Sequence, residues 1–71
     1  MPELVIYTKT GCPYCQAAMD KFQKDGVSFT EVNVTLDPQA LRYIQENFNA
    51  KKVPVIVRDG ELVEIGWQGD G

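Results

Sequence analysis

The 71-residue sequence has no histidine, only two cysteines and no long apolar run, and each absence excludes a class of function. Cysteine nucleophiles of the protease type need a histidine base, so hydrolytic cysteine chemistry is excluded. No segment approaches the ~20 apolar residues of a membrane helix. The N-terminus also lacks the basic and apolar regions of a signal peptide. We therefore expect a cytoplasmic protein, in a compartment that keeps thiols reduced.

Positive charge is also scarce, because 7 basic residues stand against 10 acidic ones and give a net charge of −3. The longest basic run is Lys51-Lys52, whereas nucleic-acid-binding surfaces cluster lysine and arginine. We therefore expect no nucleic-acid partner. The length suits one small domain that spans residues 1–71, and the sequence contains no repeat or linker.

Two amphipathic helices are predicted from apolar residues at helical spacing. The stripe of the first helix consists of Cys15, Ala18, Met19 and Phe22. Pro13 suits the first helical position, and Gly26 suits the helix end. The second helix is predicted to begin at Asp37-Pro38, an N-cap followed by a first helical residue. Its core-facing residues are Leu41, Ile44 and Phe48.

Four strands are predicted at 4–7, 28–34, 53–57 and 61–67. The first and third are dense apolar runs, which are typical of strands buried on both faces. Asp59-Gly60 is typical of a two-residue hairpin turn, and Val63, Ile65 and Trp67 alternate with polar residues or glycine in the strand that follows. The order β-α-β-α-β-β predicts an α/β fold with a mixed four-stranded sheet. In that sheet the first two strands are parallel and the last two form an antiparallel hairpin.

The two cysteines, Cys12 and Cys15, can be read as a structural bridge, half of a metal site or a redox pair. A bridge would close a loop of four residues and stabilise the fold by about 1.9 kcal/mol, against about 3 kcal/mol for a 15-residue loop. A zinc or iron–sulfur site would have to be shared between two chains, because one chain supplies only two of four ligands. Thiol–disulfide exchange needs only the residues present, and a C-x-x-C pair beside a β-α-β pattern is typical of it.

The position of the pair predicts different roles for the two sulfurs. Cys12 lies at the start of the first helix, where free N–H groups and the helix dipole favour a thiolate, and Lys9 adds positive charge nearby. We expect Cys12 to be exposed and to attack the substrate disulfide. Cys15 heads the apolar stripe, so it is expected to be sheltered and to resolve the mixed disulfide.

The segment Lys9-Thr10-Gly11-Cys12-Pro13-Tyr14-Cys15 resembles the active site of dithiol glutaredoxins, whose cysteine pair is typically C-P-Y-C. Lys51-Lys52-Val53-Pro54-Val55 is similar to the second landmark of that family. The resemblance covers about the whole chain and implies a thioredoxin-like fold and a thiol–disulfide oxidoreductase that acts on protein disulfides or glutathione mixed disulfides. It implies glutathione as co-substrate, no metal and a monomeric protein.

The same resemblance implies roles for particular residues. Pro13 and Tyr14 would tune the cysteine pair, and Tyr14 would line the substrate groove. Lys9 would lie near the glycine carboxylate of glutathione. Pro54 would follow a cis peptide bond, and the Val53 backbone would pair with bound glutathione or with an extended substrate segment.

The C-terminal stretch departs from the family pattern. Glutaredoxins usually have Gly-Gly-aromatic-Asp where this sequence has Ile65-Gly66-Trp67-Gln68-Gly69-Asp70, so Gly66 and Trp67 are the expected contacts for the γ-glutamyl end of glutathione. The usual C-terminal helix of the family also has no counterpart in this sequence. The stretch motivates an alternative, a redoxin that thioredoxin reductase reduces and that supplies ribonucleotide reductase. A further alternative is an iron–sulfur carrier in which two chains and two glutathiones hold one cluster through Cys12.

Overall fold

The structure is a computed structural model, and it describes residues 3–66. The elements alternate in the order β-α-β-α-β-β, as predicted. They are β1 (Leu4–Thr8), α1 (Pro13–Lys24), β2 (Thr30–Asn33), α2 (Pro38–Phe48), β3 (Val55–Arg58) and β4 (Glu61–Ile65).

The four strands form one mixed sheet in the order β2-β1-β3-β4. β1 pairs in parallel with β2 and antiparallel with β3, and β3 and β4 form an antiparallel hairpin. The predicted topology is therefore confirmed. The second strand covers only Thr30–Asn33 of the predicted range 28–34. The third strand, Val55–Arg58, begins two residues later and ends one residue later than the predicted range 53–57.

Local sequence signals determine where the helices and the hairpin begin and end. The Asp37 carboxylate accepts a hydrogen bond from the Ala40 N–H at 3.2 Å, which confirms it as the N-cap of α2. Asn49 ends α2 in the left-handed region at φ 52°. Asp59 and Gly60 have φ values of 51° and 82°, as a tight hairpin turn between twisted strands requires.

Each face of the sheet carries its own apolar cluster. On one face Leu4, Ile6 and Ile56 are buried, and Met19 and Phe22 of α1 pack against them. The other face packs against α2. The buried residues of the apolar cluster on that side are Cys12, Cys15, Val34, Ile44, Ala50, Val53, Val55 and Val57. The predicted stripe of α1 is confirmed, because its first two members, Cys15 and Ala18, are buried and the other two pack onto the sheet.

The predicted stripe of α2 is only partly correct. Ile44 is 1% exposed and Phe48 packs against the cluster, but Leu41 is 37% exposed. Leu41 lies in the first half of the helix and lines a groove with Lys52 and Val53 instead of packing under the sheet. Helical spacing places a residue on a helix face, but it does not show how far the neighbouring sheet extends under that face.

A β-bulge in β4 makes the predicted alternation of Val63 and Ile65 wrong, and Trp67 lies outside the described residues. Val57 pairs with Leu62 and Ile56 pairs with Glu64, so Val63 is the extra residue of the bulge. Val63 is 57% exposed, whereas Ile65 packs against the cluster on the α2 face. Neither helix within residues 3–66 is long and apolar enough to cross a membrane.

Candidate active site

The loop between β1 and α1 carries the cysteine motif, and two hydrogen bonds hold it against the end of β2. The Thr10 N–H donates to Thr35 Oγ1 at 3.2 Å, and Asn33 Nδ2 donates to Thr10 Oγ1 at 3.3 Å. The Thr35 N–H donates to Asn33 Oδ1 at 2.9 Å, so the two residues that bind Thr10 are also bonded to each other. Gly11 turns the chain toward the helix with φ 76°. The cysteines therefore follow a loop whose position is fixed on both sides by strands.

Cys12 is the N-cap of α1, and its sulfur takes the place that a serine or aspartate oxygen commonly holds. The Cys15 N–H donates to Cys12 Sγ at 3.3 Å, and Pro13 occupies the first turn, where it leaves no N–H unpaired. The first turn of α1 contains no acidic residue. An aligned N–H and the positive end of the helix dipole both stabilise a negative charge on Cys12 Sγ.

Burial of the two sulfurs differs less than the sequence predicts. Both cysteines are free thiols, Cys15 is 2% exposed and Cys12 is 7% exposed. The sheltered position of Cys15 is confirmed, but the prediction of an exposed Cys12 is wrong. Cys12 belongs to the same apolar cluster as Val53 and Ala50, which follow α2. A substrate therefore meets a Cys12 side chain that is largely buried.

Burial, and after it a side-chain hydrogen bond with Cys12, raises the pKa of the Cys15 thiol from 9.0 to about 12. The backbone N–H of Lys9 and the positive charge of its side chain act in the opposite direction on this pKa. Cys15 is therefore almost fully protonated near neutral pH. Its thiol can serve as a nucleophile only after a proton is removed.

The segment before β3 borders the cysteines, as the resemblance implies. The Val53–Pro54 peptide bond is cis, which confirms that prediction. Val53 and Pro54 are both buried. The Gly66 N–H donates to the Pro54 carbonyl at 2.7 Å, and Gly66 has φ 83°. Trp67 lies outside the described residues.

Two depressions share Lys9, and one of them is lined by both cysteines. The lysine groove, of about 150 Å³, lies beside α2 and is lined by Lys9, Lys51, Lys52, Leu41, Gln45 and Val53, together with Val34, Ile44 and Ala50. The thiol cleft, of about 550 Å³, lies on the β2 side and contains both cysteines, Lys9, Thr8 and Glu31 among its lining residues. Tyr14 is 40% exposed in the first turn of α1.

The structure thus brings most predicted site residues together, but it also adds residues that the sequence did not indicate. Thr8 is 1% exposed, and its hydroxyl donates to Glu31 Oε2 at 2.9 Å. The only feature of the sequence that could have indicated Thr8 as a site residue is that it is a polar residue at the end of an apolar strand. Within residues 3–66, no three histidine, cysteine, aspartate or glutamate side chains come close enough to hold a metal ion.

Comparisons with known proteins cover most of this chain. A family model described as glutaredoxin matches residues 4–63, from the start of β1 into β4. The Gene 56 protein of Mycobacterium phage L5 is 36% identical over 67 residues, which are 94% of this chain and 65% of that protein. A glutaredoxin of Pseudomonas aeruginosa is 36% identical over 56 residues, which are 79% of this chain and 67% of that protein. The crystal structure of the thioredoxin-like protein BC3987 superposes with a TM-score of 0.84 at 27% identity and covers 93% of this chain and 89% of that one.

Proposed function

Because the chain belongs to the glutaredoxin family, we propose that it reduces disulfides through Cys12 and Cys15 with glutathione as its electron donor. A thiol–disulfide oxidoreductase is the general role of the family. The observation that carries the proposal for this chain is the hydrogen bond from the Cys15 N–H to Cys12 Sγ at the start of α1. It places one sulfur where a thiolate is stabilised and the second sulfur one helical turn away.

The chemistry follows from the difference between the two sulfurs. The Cys12 thiolate attacks one sulfur of the substrate disulfide, a mixed disulfide forms, and the first product thiolate leaves. Cys15 then loses its proton and attacks Cys12 Sγ, which breaks the mixed disulfide and releases the second thiolate. The dithiol has lost two electrons and the substrate has gained them. Two glutathione molecules return the pair to the reduced state and leave as glutathione disulfide.

The lysine groove supports glutathione as the donor. Glutathione carries two carboxylates, and Lys9, Lys51 and Lys52 place three positive charges around a groove that reaches Val53. The chain as a whole has a net charge of −3, so this side of the molecule is positive against an acidic background. Such a local field favours the approach of an anionic co-substrate and is screened by salt.

The deciding experiment compares two electron sources. The reduced protein is supplied either with glutathione, glutathione reductase and NADPH or with thioredoxin reductase and NADPH, and NADPH oxidation is followed with a glutathione mixed disulfide as substrate. We expect turnover with the glutathione system and its loss in Cys12→Ser. Reduction by thioredoxin reductase alone would contradict the proposal and favour the alternative redoxin.

The contribution of the lysine groove is tested in the same assay with charge-neutral variants. Lys51→Gln is expected to raise KM for the glutathione mixed disulfide several-fold and to leave kcat nearly unchanged, because the charge acts on approach and binding. Lys24→Gln is the matched control, since it removes the same charge from the far end of α1. Equal KM values for the two variants would show that the charge of the lysine groove does not contribute to binding of the glutathione mixed disulfide.

A further inference from the structure

The proton of Cys15 has to leave before the second step of the dithiol reaction can occur. Cys15 is 2% exposed and its pKa is raised to about 12, so only a very small fraction is thiolate near neutral pH. In the reduced protein, the Cys15 side chain is hydrogen-bonded with Cys12. Once Cys12 Sγ is bonded to the substrate sulfur in a mixed disulfide, it cannot take this proton. Another acceptor near Cys15 is therefore needed.

The thiol cleft contains one group of suitable chemistry. Of the described residues that line it, Glu31 alone carries a carboxylate, and Lys9 supplies the opposite charge. Glu31 is opposite Ile6 in the parallel pairing of β1 and β2, and Ile6 faces α1. Partners in a parallel ladder share a sheet face, so Glu31 projects on the side of the sheet that α1 covers. The cleft opens to solvent, and water can connect its polar groups.

Thr8 fixes the direction of this carboxylate. Its hydroxyl is buried at the end of β1 and donates to Glu31 Oε2 at 2.9 Å. The bond uses one lone pair of Oε2 and leaves Oε1 with no hydrogen bond in the described structure. A carboxylate held in this way toward the cleft has a free oxygen that can accept a proton.

We propose that Glu31 accepts the Cys15 proton, through water in the thiol cleft, in the step that closes the Cys12–Cys15 disulfide, and that Thr8 positions its carboxylate. The Cys15 S–H bond breaks, the proton passes to Glu31, and the Cys15 sulfur bonds to Cys12 Sγ. The mixed disulfide breaks at the same time, and its outer sulfur leaves as a thiolate with the bonding electron pair. Glu31 then returns the proton to solvent at the mouth of the cleft. This role rests on the proposed dithiol function.

The alternative explanation for Glu31 is structural. β2 is an edge of the sheet, and a charged side chain on the inner face of an edge strand prevents pairing with other chains. A structural role would change stability or association equally at every pH. A proton acceptor has a different signature, because hydroxide replaces it as the pH rises.

The test uses an aromatic disulfide whose released thiolate is coloured. The reduced protein releases one thiolate when Cys12 attacks and a second when Cys15 resolves, and only the first rate depends on reagent concentration. We expect Glu31→Gln to slow the second release about tenfold near pH 7 and to leave the first release unchanged. The deficit should shrink as the pH rises from about 6 to about 9. Glu31→Asp should recover part of the rate.

Controls separate this proposal from the function on which it rests. Glu61→Gln makes the same change on β4, the other edge strand, and should match the wild type. Cys15→Ser should abolish the second release, and its persistence would contradict the dithiol function itself. If Cys15→Ser behaves as expected while Glu31→Gln keeps the wild-type second release, or is slowed by the same factor at every pH, Glu31 is not the acceptor.

Discussion

The raised pKa of Cys15 predicts that the reduced protein loses stability at alkaline pH. A folded-state pKa of about 12 against 9.0 means that the native state binds this proton more tightly than the unfolded chain. The resulting stabilisation is fully present below about pH 9 and is lost as the pH rises toward 12. Burial is the largest cause of the shift, so the effect persists when Cys12 is replaced.

The magnitude follows from proton linkage. Above the unfolded pKa, the free energy of unfolding falls by about 1.4 kcal/mol per pH unit for one such group. Between about pH 8 and about pH 10.5 the loss due to Cys15 is therefore about 2 kcal/mol. That is a large share of the stability expected for a chain of this size.

Urea unfolding of two variants isolates this contribution. Cys12→Ser keeps Cys15 as a single thiol that cannot form the internal disulfide, and Cys12→Ser/Cys15→Ala removes the titrating group. Tyrosines and lysines titrate equally in both, so the difference between their free energies of unfolding reports Cys15 alone. We expect this difference to change by about 2 kcal/mol over the stated range. A difference that stays constant from pH 8 to pH 10.5 would refute the argument.

Substitutions at three further positions test packing, capping and charge. Ile44→Ala should lower the free energy of unfolding by about 2–5 kcal/mol and Ile44→Val by about 1 kcal/mol, because Ile44 is 1% exposed. Equal losses for the two variants in urea titrations would show that the surrounding side chains collapse around the cavity. Asp37→Ala should cost about 1 kcal/mol and Asp37→Asn much less in the same titrations, since the cap bond to the Ala40 N–H needs only an oxygen. Lys9→Gln should raise KM for a glutathione mixed disulfide and also slow the second thiolate release, because Lys9 lines both depressions and lowers the pKa of Cys15. A change in KM alone would limit the role of Lys9 to the lysine groove, and a change in the second thiolate release alone would limit it to the thiol cleft.

The parts of the fold that the sequence predicted depend on local chemistry. Pro38 after Asp37 marks a helix start wherever it occurs, because the proline has no N–H to satisfy and the carboxylate caps the next turn. Asp59-Gly60 specifies a tight hairpin because both residues tolerate positive φ. The places of Cys12 at the cap and of Cys15 in the apolar stripe were predictable for the same reason, because they are three residues apart at the start of one helix, but the burial of Cys12 was not predictable in this way.

The features that the sequence did not predict depend on partners distant in the chain. The bulge at Val63 is set by its register against β3, and nothing in the alternating pattern of β4 reveals it. Cys12 is buried in an apolar cluster that also contains Val53 and Ala50, about forty residues away. The bond between Thr8 and Glu31 depends on the pairing of β1 with β2, which fixes which side chains share a face.

The two depressions differ in charge, because Lys9 lines both, Lys51 and Lys52 line only the lysine groove, and Glu31 lines only the thiol cleft. A carboxylate in the lysine groove would repel the carboxylates of glutathione, whereas Glu31 in the thiol cleft shares a depression with Cys15, whose proton we propose that it accepts. A lysine in place of Glu31 would stabilise a Cys15 thiolate but would accept no proton near neutral pH. The composition of the chain, with its net charge of −3, does not reveal this difference in charge between the depressions. The difference arises because β1 places Lys9 between the two depressions and β2 places Glu31 in only one of them. The charge pattern of this site is therefore a property of strand pairing, and substitutions that shift the β1–β2 register should impair the second step of the reaction before they impair the first.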